Sequence, residues 1–179
     1  MKCPLGNAQC ECSMKEKLRK VFTDHVIYTK LYMEKYGTSR AETAVILKRL
    51  LSNQDDIANT LKPVIGIKKS TELARLLKQH IQLSGSMIAY VYQRDKKLAD
   101  EAAQKVFQNG HQVVEFLTEL NPKKLPLRIT EEMFDMHNKQ VLKLAWCHEW
   151  KEYKEEAHVF DEYLVHMLRM SDAIAKAVE

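Results

Sequence analysis

Four of the seven histidines in this 179-residue chain fall where a helix would turn them inward. His25 lies in the series Leu18, Phe22, His25, Thr29, Tyr32, Tyr36, and His80 in the series Leu73, Leu77, His80, Ser84, Met87, Val91. Steps of three and four place each series on one helical face. His137 follows Met133 and Phe134, and His166 lies on the stripe Val159, Tyr163, His166, Met170, Ala173. Neutral imidazoles converging in an apolar core are the ligand type used by Zn, Fe and Mn sites. They can also hydrogen-bond a small organic ligand. With an amide or carboxylate beside each ring, they can instead form a satisfied polar layer that fixes helix register. The metal-ligand candidates are therefore His25, His80, His137 and His166, with Asp56 and Asp172 as direct or supporting carboxylates. Asn53 and Asn109 are the candidate ligand-binding amides.

These residues recur at a regular interval. Leu18, Val21, Phe22, His25 and Met33 match Leu73, Leu76, Leu77, His80 and Ile88, each 55 positions on. Met133, Phe134 and His137 repeat the pattern a further 57 on. Leu50, Asn53, Ile57 and Leu61 match Val106, Asn109, Val113 and Leu117 at 56, and Asp172-Ala173-Ile174 faintly echoes Asp56-Ile57-Ala58. Such spacing describes three helical hairpins of about fifty-five residues.

The elements that must carry these positions are helices. Gly and Pro are scarce, at 5 and 4 residues, and no segment sustains strand alternation. Gly37-Thr38-Ser39 ends one helix and caps the next. Pro63 and Gly66 end the second, and Ser70 or Thr71 can cap the third. Asp95 caps a fourth, which stops at Asn121-Pro122. Pro126 and Thr130 bracket the start of a fifth, and a sixth runs from about Glu155 to the end. The fold class predicted is an all-α, up-down bundle of about six helices built from three repeated hairpins. Residues 1–13 are expected to be a flexible, cysteine-containing tail, and residues 14–179 one domain.

The remaining signals exclude more than they assign. The formal net charge is +4, from 28 basic and 24 acidic residues that are interspersed. The mild basic clusters at Lys15–Lys20 and Lys62–Lys69 read as solvated helix ends, so no nucleic-acid partner is expected. No run approaches a membrane span and the N-terminus has no apolar signal core, so a cytoplasmic chain without a membrane partner is expected. Self-association through exposed Tyr, Met and Trp is the partner expectation. The spacing of Cys3, Cys10 and Cys12 matches no standard zinc pattern. Cys147 closes an apolar helix as a small packing residue. His158, Glu162 and His166 share i, i+4 spacing, but the paired Glu-x-x-His of a di-iron bundle is absent. No Walker, dinucleotide-binding, nucleophile-elbow or zincin motif occurs.

The set Leu18-Arg19 with Asp24-His25-Val26, Asn53-Gln54 with Asp56-Ile57, and Lys78-Gln79-His80-Ile81 resembles a group of small all-helical bacterial proteins of unknown function. The resemblance continues through His137 and His166 to Met170-Ser171-Asp172 and covers about residues 16–178. It implies an all-helical fold in which these positions act as a set, and it implies no activity. Two functions follow from the residues. One is a binding protein that holds a divalent transition metal or a small ligand at a buried histidine layer. The other is a structural or interaction module whose histidines are only hydrogen-bonded. Catalysis would further require an open coordination position and substrate access, so the question of enzyme activity stays open.

Overall fold

A computed structural model describes residues 13–179. Cys3, Cys10 and Cys12 lie outside the described residues. The described chain is all-α, with α1 (Met14–Lys35), α2 (Arg40–Tyr92), α3 (Lys96–Leu120), α4 (Leu127–Glu149) and α5 (Tyr153–Val178). No described helix is long and apolar enough to cross a membrane.

Side-chain caps set several helix starts. Ser13 and Glu16 form a reciprocal capping box at α1, with Glu16 N–H donating to Ser13 Oγ at 3.2 Å and Ser13 N–H to Glu16 Oε2 at 2.8 Å. Ser39 Oγ accepts from Glu42 N–H, and Asp95 Oδ1 accepts from Leu98 N–H, as their positions in the sequence predict. At α4 the cap is different. Pro126 precedes the first turn, and Thr130 Oγ donates back to its carbonyl at 3.0 Å.

The described helices number five rather than six because α2 runs through the expected break. Pro63 lies inside the hydrogen-bonded run, and only Gly66 leaves helical backbone, at φ 80° and ψ 166°. That conformation is open to glycine and costly for residues with a Cβ. Gly66 folds α2 into two arms. Ser70 Oγ donates to Ala58 O at 2.9 Å, across twelve residues that would span ~18 Å in a straight helix. Lys78 reaches Asp55 at 2.6 Å in the same way. Ser70 is thus a tie between the arms rather than a cap, and Thr71 Oγ bonds its own helix at Ile67 O.

The helices pack in chain order, α1 on α2, α2 on α3, α3 on α4 and α4 on α5, and α5 closes the circuit against α1. Each helix contributes an apolar stripe to one core, which includes Leu18, Phe22, Val26, Leu73, Ile88, Val113, Phe134, Leu144 and Met170. Alternating directions collect the start of α1, the Gly66 turn, the segment 121–126 and the end of α5 at one end of the bundle. Asn121 Nδ2 and Lys124 Nζ there donate to Ala177 O and Lys176 O, at 3.0 and 2.8 Å. The turns around Gly37, Arg94 and Lys151 occupy the other end. Cys147 is buried, as its place at the end of an apolar helix predicts.

Candidate functional site

His25, His80 and His137 each lie about three turns from the start of their helix or arm, so ~1.5 Å per residue sets them at one height. They converge in the core. His137 is central, with its ring centroid 5.8 Å from His25 and 5.7 Å from His80. Tyr163 stacks on His137 at 5.6 Å, and Phe134 meets His80 and His137 edge-on at 5.6 and 5.7 Å. All three imidazoles are buried. Burial penalises the charged form, and repulsion between the rings adds to this. Desolvation first, and the proximity of His80 second, push His25 down to about 4. Desolvation brings His80 to about 4, opposed by hydrogen bonding to amides. His137 falls well below its usual range, through burial and then the neighbouring histidines. The layer is neutral at pH 7.

The second helix or arm of each pair meets the first in the same way. Asn53 Nδ2 donates to Val21 O at 2.9 Å, Asn109 Nδ2 to Leu76 O at 3.4 Å, and His166 Nε2 to Met133 O at 2.8 Å. Each accepting carbonyl lies four residues before a layer histidine, so it already accepts that histidine's backbone N–H. The side chain uses the second lone pair. These bonds pin neighbouring helices at the level of the rings.

The rings themselves are served unequally. Asn109 holds Leu76 with its amide nitrogen and presents Oδ1 to His80 Nδ1 at 2.9 Å. That oxygen only accepts, so His80 carries its proton on Nδ1 and leaves Nε2 as an acceptor, with the Asn138 amide also beside the ring. In the first pair two adjacent residues are involved. Asn53 holds the carbonyl and also interacts with the His25 ring, and Gln54 Nε2, which donates to Leu50 O at 2.8 Å, lies 3.3 Å from His25 Nδ1. In the third pair His166 donates to the carbonyl and leaves His137 Nδ1 without a partner. Gln54, Asn109 and His166 each stand 29 residues after a layer histidine. That constant spacing could have revealed Gln54, but aligning Asn109 with Asn53 hid it.

Among the described residues, seven buried side-chain polar atoms have no well-formed hydrogen bond, and five lie at the layer. They are His80 Nε2, Asn138 Nδ2, Thr29 Oγ1, the Tyr163 hydroxyl and His137 Nδ1; Asn138 interacts with His80 and Thr29 with Tyr163, which leaves His137 Nδ1 as the atom with no neighbouring partner. Buried polar atoms are nearly always paired, so a cluster of exceptions marks a place to be explained. His25 and His80 line a cavity of about 40 Å³, measured as room for the centre of a water molecule, with Phe22, Ile57, Leu73, Phe134 and Met167 among its walls. A second cavity of about 20 Å³ borders His25 and Thr29 on their other side, beside Tyr32 and Gly85. About 10–15 Å³ on this measure admits one water.

The carboxylates proposed from sequence are elsewhere. Asp172 is bound through two bonds by Arg19, at 2.7 and 2.6 Å, and by Lys15 at 3.2 Å. Asp56 pairs with Arg49 at 3.0 Å and is 42% exposed, and Asp24 shares the same Arg49 and Lys20. One residue is a turn of about 100°, so burying Ile57 swings Asp56 outward. His166 is half-buried beside the layer rather than within it. His158 and Glu162 stand exposed, 3.4 Å apart. Among the described residues, no group of three His, Cys, Asp or Glu side chains is arranged to hold a metal ion.

A second buried polar cluster lies toward the other end. Glu156 in the first turn of α5 is buried, and Lys30 and His148 both contact its Oε1, the latter at 2.9 Å. Lys30 also reaches Glu34 at 3.0 Å. Tyr92 packs on His148 with ring centroids 5.9 Å apart, and its hydroxyl donates to Met33 O at 2.8 Å. Burial, and then Glu156, raise the Tyr92 phenol above its usual range. The position of this cluster at helix ends gave no signal in the hydrophobic pattern. Comparison of the chain with protein-family models, with curated proteins and with solved structures finds no match.

Proposed function

We propose that this bundle is a binding protein whose core holds a small neutral ligand at the histidine layer. One observation carries the reading: two neutral imidazoles of the layer line an apolar cavity, and His137 Nδ1 beside them has no hydrogen-bond partner. The neutral rings suit a particular ligand. Each neutral imidazole carries one donor and one acceptor nitrogen, so a hydroxyl that both accepts and donates suits the rings. Phe22, Phe134, Leu73 and Met167 suit an apolar body behind that hydroxyl. The cavity is small, so a ring-sized ligand requires the surrounding side chains to move.

A divalent Zn, Fe or Mn ion is the second candidate ligand. It would draw on His25, His80 and His137 after ring rotation. The nearby carboxylates face solvent, so its charge would enter the core uncompensated, which favours the neutral ligand. The structural alternative rests on the three bonds to Val21 O, Leu76 O and Met133 O, which fix helix register with no ligand. Those bonds also support descent from three repeated hairpins, with Asn53, Asn109 and His166 as equivalents.

Ligand-observed NMR and calorimetry with tag-free protein test the reading, using phenol, benzene and Zn²⁺ as probes. The expected result is phenol binding stronger than benzene binding, with the preference lost in His80→Leu. Zn²⁺ binding at one equivalent, abolished by His80→Leu, would select the metal. Absence of binding by all three probes would leave the layer as a structural device.

A further inference from the structure

The two ends of the bundle differ in surface chemistry. At one end the Gly66 turn reads Lys62-Pro63-Val64-Ile65-Gly66-Ile67-Lys68-Lys69, and the α3–α4 connection reads Pro122-Lys123-Lys124-Leu125-Pro126-Leu127-Arg128-Ile129. Neither contains an acid. Val64 and Ile67 are 51% and 65% exposed, and Leu127 and Ile129 are 45% and 46% exposed. Among the described residues Lys62, Lys68, Lys69 and Lys123 enter no ion pair. At the opposite end, Glu42 pairs with Lys35 and Glu149 with Arg94, and the exposed Trp150 and Tyr153 stand among charges of both signs. Gly66 alone accounts for the reversal of α2, so the turn's geometry does not require branched aliphatics around it.

We infer that this end of the bundle docks on an anionic lipid bilayer, with Val64 and Ile67 at the Gly66 turn entering the interface and the flanking lysines meeting the headgroups. Charge complementarity chooses the occupant. Exposed aliphatic side chains ringed by lysine gain from the acyl boundary and from a negative surface together. A nucleic acid would reward arginine and stacking aromatics, and neither turn has an aromatic residue. A second copy of the same face would bring like charges together. The inference reverses the expectation that the lysine cluster is merely solvated, and it is independent of the histidine layer.

Vesicle co-sedimentation of the full chain tests it. The expected result is binding to phosphatidylcholine vesicles carrying roughly one-third phosphatidylserine, at least about tenfold stronger than to phosphatidylcholine alone, and weakened by salt. Val64→Asp/Ile67→Asp should abolish it. Lys62→Gln/Lys68→Gln/Lys69→Gln should reduce it about tenfold or more. All these positions are exposed, so unchanged thermal unfolding confirms that each variant folds. No binding to anionic vesicles at low salt overturns the inference. So does binding that both variants retain. Gel filtration that shows a dimer broken by Val64→Asp would assign the face to a second copy. Oligonucleotide binding that requires the lysines but tolerates Val64→Asp/Ile67→Asp would assign it to nucleic acid.

Discussion

The histidine layer and the Glu156 cluster are both polar, both buried and only about one and a half turns apart along α1, yet they meet the cost of burial in different ways. Glu156 is met by Lys30 and His148, and the first turn of α5 adds a favourable dipole. The layer has no charged partner, so its imidazoles remain neutral, and several of its polar atoms are unpaired. A paired cluster needs nothing further and is explained as a lock between α1, α4 and α5. A neutral, incompletely satisfied cluster beside a cavity has capacity left for a ligand.

Acid should expose the difference most strongly. The folded histidines titrate below their unfolded value of about 6.5. Between the two values the unfolded chain binds more protons, so stability falls as pH falls. The contribution is complete above about pH 6.5 and is lost down to about 4. His25 and His80 should each cost on the order of 3 kcal/mol by the bottom of that window. Urea melts at pH 7.5, 6 and 4.5 measure it, and His80→Gln should flatten the slope. A wild-type profile that is level from 7.5 to 4.5 would remove the neutral layer from the account.

Next in size is removal of a charge from the paired cluster. Lys30→Met leaves Glu156 with His148 alone and should cost about 2–3 kcal/mol, since Lys30 is itself only 20% exposed. Lys30→Met/Glu156→Leu should recover most of that loss, because no buried charge remains. Urea midpoints at pH 7.5 decide this. Equal stability of Lys30→Met and wild type would mean that water already serves Glu156, and the two clusters would no longer differ in kind.

A smaller effect separates the two asparagines. Asn109→Leu loses both the bond to Leu76 O and the partner of His80 Nδ1, and should cost about 2–3 kcal/mol. Asn53→Leu leaves Gln54 on His25 and should cost about half as much. Equal losses would show that the amide bond to the ring adds nothing beyond the helix-to-helix pin.

The sequence made the layer legible because a histidine on an apolar stripe keeps the helical period and recurs with it. It also exposed the helix caps at Ser39 and Asp95, where side-chain chemistry is local. Asp56 and Asp172 were misplaced because period alone does not say which side of a stripe a neighbour occupies. Arg49 and Arg19, distant in sequence, settle it. The sharp return at Gly66 was legible as a stop but not as a hinge inside one helical run. Tyr163 lies on an apolar stripe in the sequence, and only the packing of α4 against α5 stacks it on His137. The Lys30–Glu156 pair is 126 residues apart and has no periodic signature.

The α4–α5 pair offers the finest test, because it is the one in which the layer histidine has no amide partner. His166 donates to Met133 O through Nε2, and the far side of that ring does not serve His137 Nδ1. Asparagine at the equivalent place in α3 serves both groups at once. His166→Asn should therefore allow Nδ2 to hold Met133 O while Oδ1 accepts from His137 Nδ1. The gain from pairing a buried ring nitrogen is on the order of 1 kcal/mol, against a similar loss of packing from the smaller side chain, so stability at pH 7.5 should change little. His166→Leu keeps the bulk but removes the donor, and should cost about 1 kcal/mol. The decisive readout is the nitrogen NMR spectrum of His137. His166→Asn should fix its proton on Nδ1, as Asn109 does for His80, whereas His166→Leu should leave the His137 tautomer unchanged. If the asparagine variant leaves His137 unaltered, the distance between α4 and α5 differs from that between the second arm of α2 and α3, and the three pairs are alike in their pins but not in their rings.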